Sequence, residues 1–314
     1  MAATKMFLGL HAVTRPPRRP VVTIGVFDGV HLAHQHLLRS TVALAERLRG
    51  TSVVMTFDPD PQMVLNPGHA PLALMPMDER LRWLSASGVN GIWVVRFTKR
   101  FSRMSAEQFV RRVLVRRLRT AAVVVGETFV FGNNRAGDMD ALQTLGPLYD
   151  MQVVSIKPIR RGGRPVSSSR IRQLIARGAL ASARRLLGRP PALYGTVIRG
   201  AGRGKHLGVP TANIRLMPQV LPPQGVYAVL VRQRETGRVW RGVMNLGVRP
   251  TFGLGAVVCE AHLFGFRGTL LGRRVAVSLL RRLRGERRFA TPDALIAQVR
   301  RDIARARRLL SRSP

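Results

Sequence analysis

The first 187 residues alternate short apolar, β-branched runs with segments of helical spacing. This order predicts a parallel sheet with helices on both faces, which is a doubly wound α/β domain. The predicted strands are Val21–Phe27, Ser52–Phe57, Gly91–Phe97, Ala121–Gly126 and Met151–Lys157. A helix between the first two strands is indicated by apolar residues at helical spacing, namely Leu37, Leu38, Val42, Ala45 and Leu48. Ser105 and Gln108 form a capping-box pattern, which predicts another helix start.

From residue 188 onward, short β runs follow one another with glycine turns and no intervening helices. Such a series predicts a small antiparallel β-barrel. Its predicted strands are Leu193–Arg199, Val226–Arg232, Val239–Leu246, Val257–Leu263 and Val275–Leu280. A C-terminal helix is predicted from Thr291 as N-cap and Pro292 as first residue. Its apolar face is formed by Leu295, Ile296, Val299 and Ile303. The pattern therefore predicts two domains, residues 1–187 and 188–314.

The composition is typical of a globular protein without membrane spans or disulfides. A hydrophobic share of 46% suits a globular chain. No apolar stretch reaches the ~20 residues that a membrane span needs, and the run from Met6 to Val13 lacks a signal-peptide cleavage pattern. The single cysteine, Cys259, excludes an internal disulfide and a thiolate metal site. We therefore predict a cytoplasmic protein with no membrane partner.

The formal net charge of +36 raises the question of nucleic-acid binding. Four of the 52 basic residues are lysines (Lys5, Lys99, Lys157 and Lys205), and the arginines are spread along the whole chain without a basic tail. This distribution favours a general arginine bias over a dedicated nucleic-acid site. The excess charge should still attract anionic ligands, and nucleic acid only nonspecifically. The oligomeric state is left open, including a weak homo-oligomer.

The segment from Gly25 to His34 lies where the first predicted strand ends and the first helix begins. Glycines at positions 25 and 29 allow the backbone to turn and to approach a ligand closely. A helix N-terminus offers free N–H groups and a positive dipole end to phosphates. His31 and His34, three residues apart, can point to the same side and donate to a triphosphate. The segment therefore predicts a nucleotide-binding turn.

The two histidines allow two other interpretations. They could be solvated residues at the start of a helix, or they could bind zinc. Zinc needs two more ligands nearby, and Cys259 lies far away in the second domain. Further along, the serine-rich segment from Val166 to Arg172 supports a phosphate site, because Ser168 can cap a helix and bind phosphate. Arg172, one turn later, can hold the leaving pyrophosphate with two hydrogen bonds.

At these residues the chain resembles the nucleotidyltransferase superfamily with a His-x-Gly-His motif. Over nearly its full length it is similar to prokaryotic bifunctional riboflavin kinase/FMN adenylyltransferases, also called FAD synthetases. In the first domain, 56–61 and 125–132 resemble the flavin-side loops of that family. In the second, 202–213 is similar to the riboflavin kinase signature, and 245–253 and the strand with Glu260 extend the match.

This resemblance implies that ATP and FMN give FAD and pyrophosphate in the first domain. His31, His34, Ser168 and Arg172 would position the triphosphate and stabilise its charge, since such transfers depend on positioning and electrostatics. The further residues implied to contact nucleotide or flavin are Gly25, Phe27, Asp28, Gly29, Pro59, Pro61 and Thr128.

The resemblance also implies that riboflavin and ATP give FMN and ADP in the second domain. Thr211 and Asn213 would bind Mg²⁺ through oxygen atoms, and Glu260 would take the proton of the ribityl hydroxyl. The implied contacts with nucleotide and flavin there are Gly204, Lys205, Gly208 and Pro210.

The chain departs from the family pattern at several positions. Ala33 replaces the glycine between the two histidines, which a helix tolerates well, and Asp60 and Thr128 also differ from the usual residues. In the segment 265–272, Arg267 and Leu271 occupy positions where the family usually has acidic residues and a tyrosine. Two alternatives follow. One is an FMN adenylyltransferase with a weakened or inactive kinase module, and the other is a basic nucleic-acid-binding protein that keeps an enzyme fold.

Overall fold

A computed structural model of the chain describes residues 4–200, 208–248 and 257–311. By its internal contacts the chain divides into two compact units. The first contains Met1–Pro71 and Met77–Ser167, and the second contains Leu72–Pro76 and Ser168–Pro314. The sequence-based boundary between residues 187 and 188 lies further along the chain and stays a prediction.

The first unit is built on a parallel sheet of six strands. These are β1 (Lys5–Leu8), β2 (Pro20–Ile24), β3 (Thr51–Asp58), β4 (Gly91–Arg96), β5 (Ala122–Gly126) and β6 (Gln152–Ile156). Their spatial order is β1-β4-β3-β2-β5-β6. The central strands are buried on both faces, which explains their continuous runs of valine and isoleucine. The predicted α/β fold and its five predicted strands are confirmed. Strand β1 was not predicted, because it is a short edge strand with three of four residues exposed.

Helices connect these strands. They are α1 (Leu32–Arg47), α2 (Pro61–Leu65), α3 (Met77–Ser85), α4 (Lys99–Ser102), α5 (Ala106–Phe109) and α6 (Met139–Leu145). Helix α5 continues as a π-helix from Val110 to Arg117. The predicted capping box at its start is present, with the Ser105 hydroxyl accepting from Gln108 N at 3.1 Å and Oε1 of Gln108 accepting from Ser105 N at 3.3 Å. A two-residue hairpin, β7 (Arg160–Arg161) with β8 (Arg164–Pro165), closes the unit.

Two apolar layers cover the sheet. On one side, Leu44 and Ala45 of α1 pack against Val21 of β2 and Val124 of β5. On the other, Phe109 and the π-helix contribute to a larger core that contains Trp93 of β4. The chain order reverses between β2 and β5, since β3 and β4 extend the sheet to one side and β6 extends it to the other. Doubly wound sheets bind their ligands at the carboxyl ends of the strands beside such a reversal.

The second unit contains a closed antiparallel barrel. Its strands are β9 (Ala192–Ile198), β10 (Ala212–Leu216), β11 (Gly225–Gln233), β12 (Val239–Val248), β13 (Val257–Leu263) and β14 (Arg274–Arg284). Around the barrel the order is β10-β13-β12-β11-β14-β9. The predicted barrel and its five predicted strands are confirmed. Strand β10 was not predicted, because its sequence was interpreted as part of a binding loop rather than as a strand.

Among the described residues of the second unit, three helices accompany the barrel. They are α7 (Ser168–Ala176), α8 (Leu180–Leu187) and α9 (Pro292–Ser311). The predicted cap of α9 is present, because the Thr291 hydroxyl accepts from Ala294 N at 3.2 Å. Ala306 and Leu310 of α9 pack against Val226 and Val243 on the outside of the barrel. Throughout the described ranges, none of the helices has the length and apolar character that crossing a membrane would require.

Candidate active sites

The turn that follows β2 at the carboxyl edge of the sheet has an unusual backbone. Phe27, Gly29 and Val30 adopt positive φ values of 55°, 80° and 36°. Space at position 25 is tight, because a Cβ there would lie 3.2 Å from the Phe27 ring. The Phe27 and Val30 side chains are buried, so the turn is anchored in the core while its backbone faces the edge of the sheet.

His31 and His34 come together at the start of α1. His31 is the N-cap, and its Nδ1 accepts a hydrogen bond from His34 N at 3.3 Å. The two rings stack with centroids 3.6 Å apart and planes 16° from parallel, and Phe27 contacts the His34 ring edge-on at 5.1 Å. The structure thus places both histidines on one side of the helix start, as the spacing predicts. The capping role of His31 was not foreseen.

His34 is held in its neutral form. Burial lowers the pKa of His34 well below its ordinary value of 6.5, and the charges of His31 and Arg80 lower it further. Its Nδ1 is buried and has no hydrogen-bond partner among the described residues. An imidazole in this state can act as a hydrogen-bond donor or acceptor at neutral pH without carrying a fixed charge.

An ion pair lies beneath this turn. Nη2 of Arg80, on α3, is 3.8 Å from Oδ1 of Asp28, and the two side chains are 6% and 3% exposed. Nη1 of Arg80 donates to the Val26 carbonyl at 3.0 Å. Asp28 had been expected to contact the nucleotide, and the structure shows its carboxylate buried beside a cation. Arg80 was missed, because its position on α3 gives no local sign of its distant partners.

A cavity of about 750 Å³ opens beside the turn in the first unit. It is rich in aromatic side chains, and its lining includes Gly25, Phe57, Pro61, Phe97, Phe101, Phe109, Phe129, Phe131 and Arg135. Phe57, Phe97 and Phe101 meet edge to face, with Phe57 and Phe97 centroids 5.6 Å apart. The cavity therefore offers a flat, apolar ligand several aromatic surfaces.

The other residues predicted to contact nucleotide or flavin in the first unit do not all lie at the aromatic cavity. Pro61 lines the aromatic cavity at the start of α2, and Asp60 caps that helix by accepting from Gln62 N at 2.9 Å. The peptide bond between Asp58 and Pro59 is cis. Thr128 is exposed in the turn before Phe129 and is not among the residues that line the cavity.

Ser168 and Arg172 belong to the second compact unit. Ser168 is the first residue of α7, and Nε of Arg172 donates to the Leu72 carbonyl at 2.7 Å within that unit. Their action together with His31 and His34 stays a prediction from the sequence.

In the second unit, three polar residues lie side by side on neighbouring strands. Glu260 of β13 is directly opposite Asn213 of β10 and Asn245 of β12. Opposite residues of an antiparallel pair share a face. Their chain neighbours Ile214, Cys259, Ala261, Met244 and Leu246 fill the barrel core. Alternation along the strands therefore places Asn213, Glu260 and Asn245 on the outer face.

Thr211 and Glu260 line the same cavity, of about 430 Å³, between this outer face and α9. The lining also includes Asn245, Arg284, Glu286, Phe289, Leu295 and Ile296. Asn213 lines a neighbouring cavity of about 500 Å³, together with Gly200. A Cβ at position 200 would overlap the side-chain amide of Asn213, so a larger residue there would force that amide to move.

The signature segment before β10 is described in part. Gly204 and Lys205 lie outside the described residues. Gly208 has a φ of 69°, and the Pro210 carbonyl lies 2.8 Å from Nδ1 of His262 on β13. This contact ties the end of the segment to the strand that carries Glu260.

The donor atoms near Glu260 suit a hard cation. Among the residues that the structure describes, no cluster of three or more His, Cys, Asp or Glu side chains could hold a metal ion. The hydroxyl of Thr211 and the amide oxygen of Asn213 are hard oxygen ligands, which fit Mg²⁺ shared with phosphate groups. Cys259 is buried, and burial together with the Glu260 charge raises the pKa of its thiol to about 12.

A buried polar network holds α9 near this cavity, and the sequence did not indicate it. Oδ2 of Asp302 accepts from Nε of Arg284 at 2.8 Å, and Oδ1 accepts from Nε2 of Gln298 at 2.9 Å. The Arg284 guanidinium also lies 5.7 Å from the centre of the Phe289 ring. Asp302, Arg284 and Phe289 all line the cavity that contains Glu260.

The loop between β13 and β14 carries the departures at positions 265–272. Gly265, Gly268 and Gly272 have positive φ values of 67°, 111° and 75°. Leu270 enters the barrel core, whereas Leu271 is 49% exposed. The loop therefore contributes a core residue of its own to the barrel.

Comparisons with known proteins show the family of both parts of the chain. A family model described as FAD synthetase matches residues 14–170, and one described as riboflavin kinase matches residues 187–310. A bifunctional riboflavin kinase/FMN adenylyltransferase from Escherichia coli K12 is 38% identical over 304 residues, covering 96% of this chain and 97% of the relative. One from Haemophilus influenzae is 34% identical over 303 residues, covering 96% and 98%.

A solved structure shares this fold over 96% of the chain. A protein from Streptococcus pneumoniae, described as a macrolide-efflux protein, is 29% identical with a TM-score of 0.83, covering 96% of this chain and 97% of that one. The family predicted from the motifs is confirmed by the two family models and the curated relatives. The chain belongs to the bifunctional riboflavin kinase/FMN adenylyltransferase family.

Proposed function

We propose that the second unit phosphorylates riboflavin to FMN with ATP, and that the first unit adenylylates FMN to FAD with release of pyrophosphate. The observation that carries the proposal is the presence of two separate sites in one chain. One is the stacked pair His31–His34 beside an aromatic cavity, and the other is Glu260 beside Thr211 and Asn213 on the barrel face.

In the first site, an oxygen of the FMN phosphate attacks the α-phosphorus of ATP. The bond between the α-phosphorus and the bridging oxygen breaks, and pyrophosphate leaves. The imidazole N–H groups of His31 and His34 and the N-terminus of α1 stabilise the charge that develops on the phosphate oxygens. The neutral state of His34 suits hydrogen bonding to this charge.

The aromatic cavity supports a flavin as the acceptor. Its phenylalanine rings offer a flat apolar ligand both stacking and edge-to-face contacts. Arg135 also lines the cavity and supplies a cation that can pair with a phosphate. Ser168 and Arg172 are assigned to the triphosphate from the sequence pattern.

In the second site, Glu260 takes the proton of the ribityl hydroxyl as that oxygen attacks the γ-phosphorus, and ADP leaves. Thr211 and Asn213 would hold Mg²⁺, because the first contributes a hydroxyl and the second an amide oxygen. When bound, Mg²⁺ neutralises charge on the phosphates. Gly208 and Pro210 shape the end of the segment that leads into β10.

The single buried thiol supports a reducing, cytoplasmic setting. The spread of arginines supports attraction of anionic substrates and, at low salt, nonspecific contact with nucleic acid. Weak self-association is compatible with both sites lying within one chain.

The test uses the purified full chain with ATP, Mg²⁺ and either riboflavin or FMN. We expect FMN and then FAD from riboflavin, and FAD from FMN. His31→Ala should abolish FAD formation and leave FMN formation, whereas Asn213→Ala should do the reverse. Loss of both reactions in either folded variant would contradict the assignment of separate sites.

Two other outcomes would select the alternatives. FAD from FMN with no product from riboflavin would indicate an adenylyltransferase with an inactive kinase module. No turnover of either flavin, together with salt-sensitive RNA binding, would indicate a nucleic-acid-binding protein.

A further inference from the structure

The turn between β2 and α1 needs support from its surroundings. Phe27 and Val30 are not glycines, yet both have positive φ values, 55° and 36°. A β-branched residue such as Val30 rarely adopts this region, so contacts from elsewhere must hold the turn in place. His31 and His34 follow directly, so whatever fixes the turn also fixes the two histidines.

Arg80 of α3 makes contacts on both sides of Phe27. Its Nη1 donates to the Val26 carbonyl at 3.0 Å, and its Nη2 lies 3.8 Å from Oδ1 of Asp28. The hydroxyl of Thr56 on β3 donates to the same carbonyl at 3.2 Å. A planar guanidinium can reach two oxygen atoms with fixed geometry, whereas the ammonium of a lysine acts as a point charge. Arg80 thus links α3 to the turn at two points.

The same cation acts on His34. The charges of His31 and Arg80 both disfavour protonation of His34, in addition to the effect of burial on its pKa. The charged groups that act on His34 are His31 at the helix start and Arg80 from α3, and Arg80 is in turn paired with Asp28. Loss of the guanidinium would remove one of the two positive charges that disfavour protonation of His34.

We propose that Arg80 is a positioning residue for adenylyl transfer, because its guanidinium fixes the turn through Val26 and Asp28 and so holds His31 and His34 in place. This inference rests on the proposed function of the first site. Arg80 does not line the aromatic cavity, so its effect on flavin binding should be small.

The test compares Arg80→Met with Arg82→Met on the same helix. Arg82 pairs with the buried Glu79 at 2.8 Å and is itself 47% exposed, so both substitutions remove a guanidinium from a buried carboxylate. We expect kcat for FAD formation to fall about 100-fold in R80M, the scale of a misplaced reacting geometry. KM for FMN and the rate of FMN formation from riboflavin should stay close to wild type. R82M should retain both activities.

A second measurement does not depend on turnover. The protonation of His34 can be followed by NMR of histidine ring C–H groups across pH, without ATP or flavin. We expect the midpoint of His34 to move upward in R80M and to stay unchanged in R82M. R80K, which keeps the charge, should give a midpoint close to wild type and an intermediate kcat. If R80M does not fold, the kcat of R80K for FAD formation tests the role of Arg80 instead, and a wild-type kcat in R80K would contradict that role.

Each opposing result has a definite meaning. FAD formation in R80M equal to that in R82M, or an unchanged His34 midpoint in R80M, would overturn the role of Arg80. Equal loss of FMN formation in R80M would show general damage and would also overturn it. A wild-type chain that makes no FAD from FMN would instead contradict the proposed function, and the NMR titration would then decide on Arg80 by itself.

Discussion

Replacing Asp302 by alanine should destabilise the second unit strongly. The carboxylate accepts from Arg284 at 2.8 Å and from Gln298 at 2.9 Å, and the Arg284 and Asp302 side chains are 14% and 7% exposed. Removing one partner of a buried ion pair costs about 3–5 kcal/mol, because the other charge stays buried without compensation. Arg284 retains a hydrogen bond to the Gly285 carbonyl at 3.0 Å and its contact with the Phe289 ring. We therefore expect a loss near the lower end, about 3 kcal/mol.

Native-state hydrogen exchange of the amides of β11 and β12 can measure this loss, because it reports the opening free energy of the barrel separately from the first unit. The control is Asp293→Ala, an exposed position in the first turn of the same helix, for which we expect a loss of about 0.5 kcal/mol. Exchange in β3 and β4 should stay unchanged in both variants. A loss below about 1 kcal/mol in D302A, the value of a solvated surface pair, would refute the reasoning.

Three further predictions follow from the sites. The pKa of His34 is lowered in the folded chain, so as pH falls the unfolded chain binds a proton at this histidine first. The free energy of unfolding of the first unit should therefore fall as pH drops below 6.5, the ordinary histidine pKa. Exchange of β2 amides should show this fall in wild type and a weaker one in His34→Gln, and equal slopes would contradict it. Gly200→Ala should displace the Asn213 amide and lower FMN formation while FAD formation from FMN continues, as a coupled assay can show. Cys259, with a pKa of about 12, should resist iodoacetamide at pH 8 until urea unfolds the barrel, and rapid labelling of the folded chain would refute its burial.

The sequence by itself determined the class of both units and most of their strands. Burial on both faces produces continuous β-branched runs in β2 to β5, and a barrel produces short alternating runs, so local periodicity carries this information. The pairing of His31 with His34 was also local, because three residues are nearly one helical turn. Periodicity did not predict strands β1 and β10. Strand β1 is an exposed edge strand with little apolar pattern, and the sequence of β10 also suits a binding loop.

Only the tertiary structure decided which distant side chains support the sites. Arg80 meets the Val26 carbonyl across 54 residues of chain, and Arg284 meets Asp302 across 18. The register of β10, β13 and β12 placed Asn213, Glu260 and Asn245 side by side, whereas the sequence could name the first two only through a family resemblance. Periodicity reports which face of an element is buried, but it does not report what lies against that face. The partners of each side chain depend on how helices and strands pack. These partners determine the burial and the local charge of the side chain, and therefore its function.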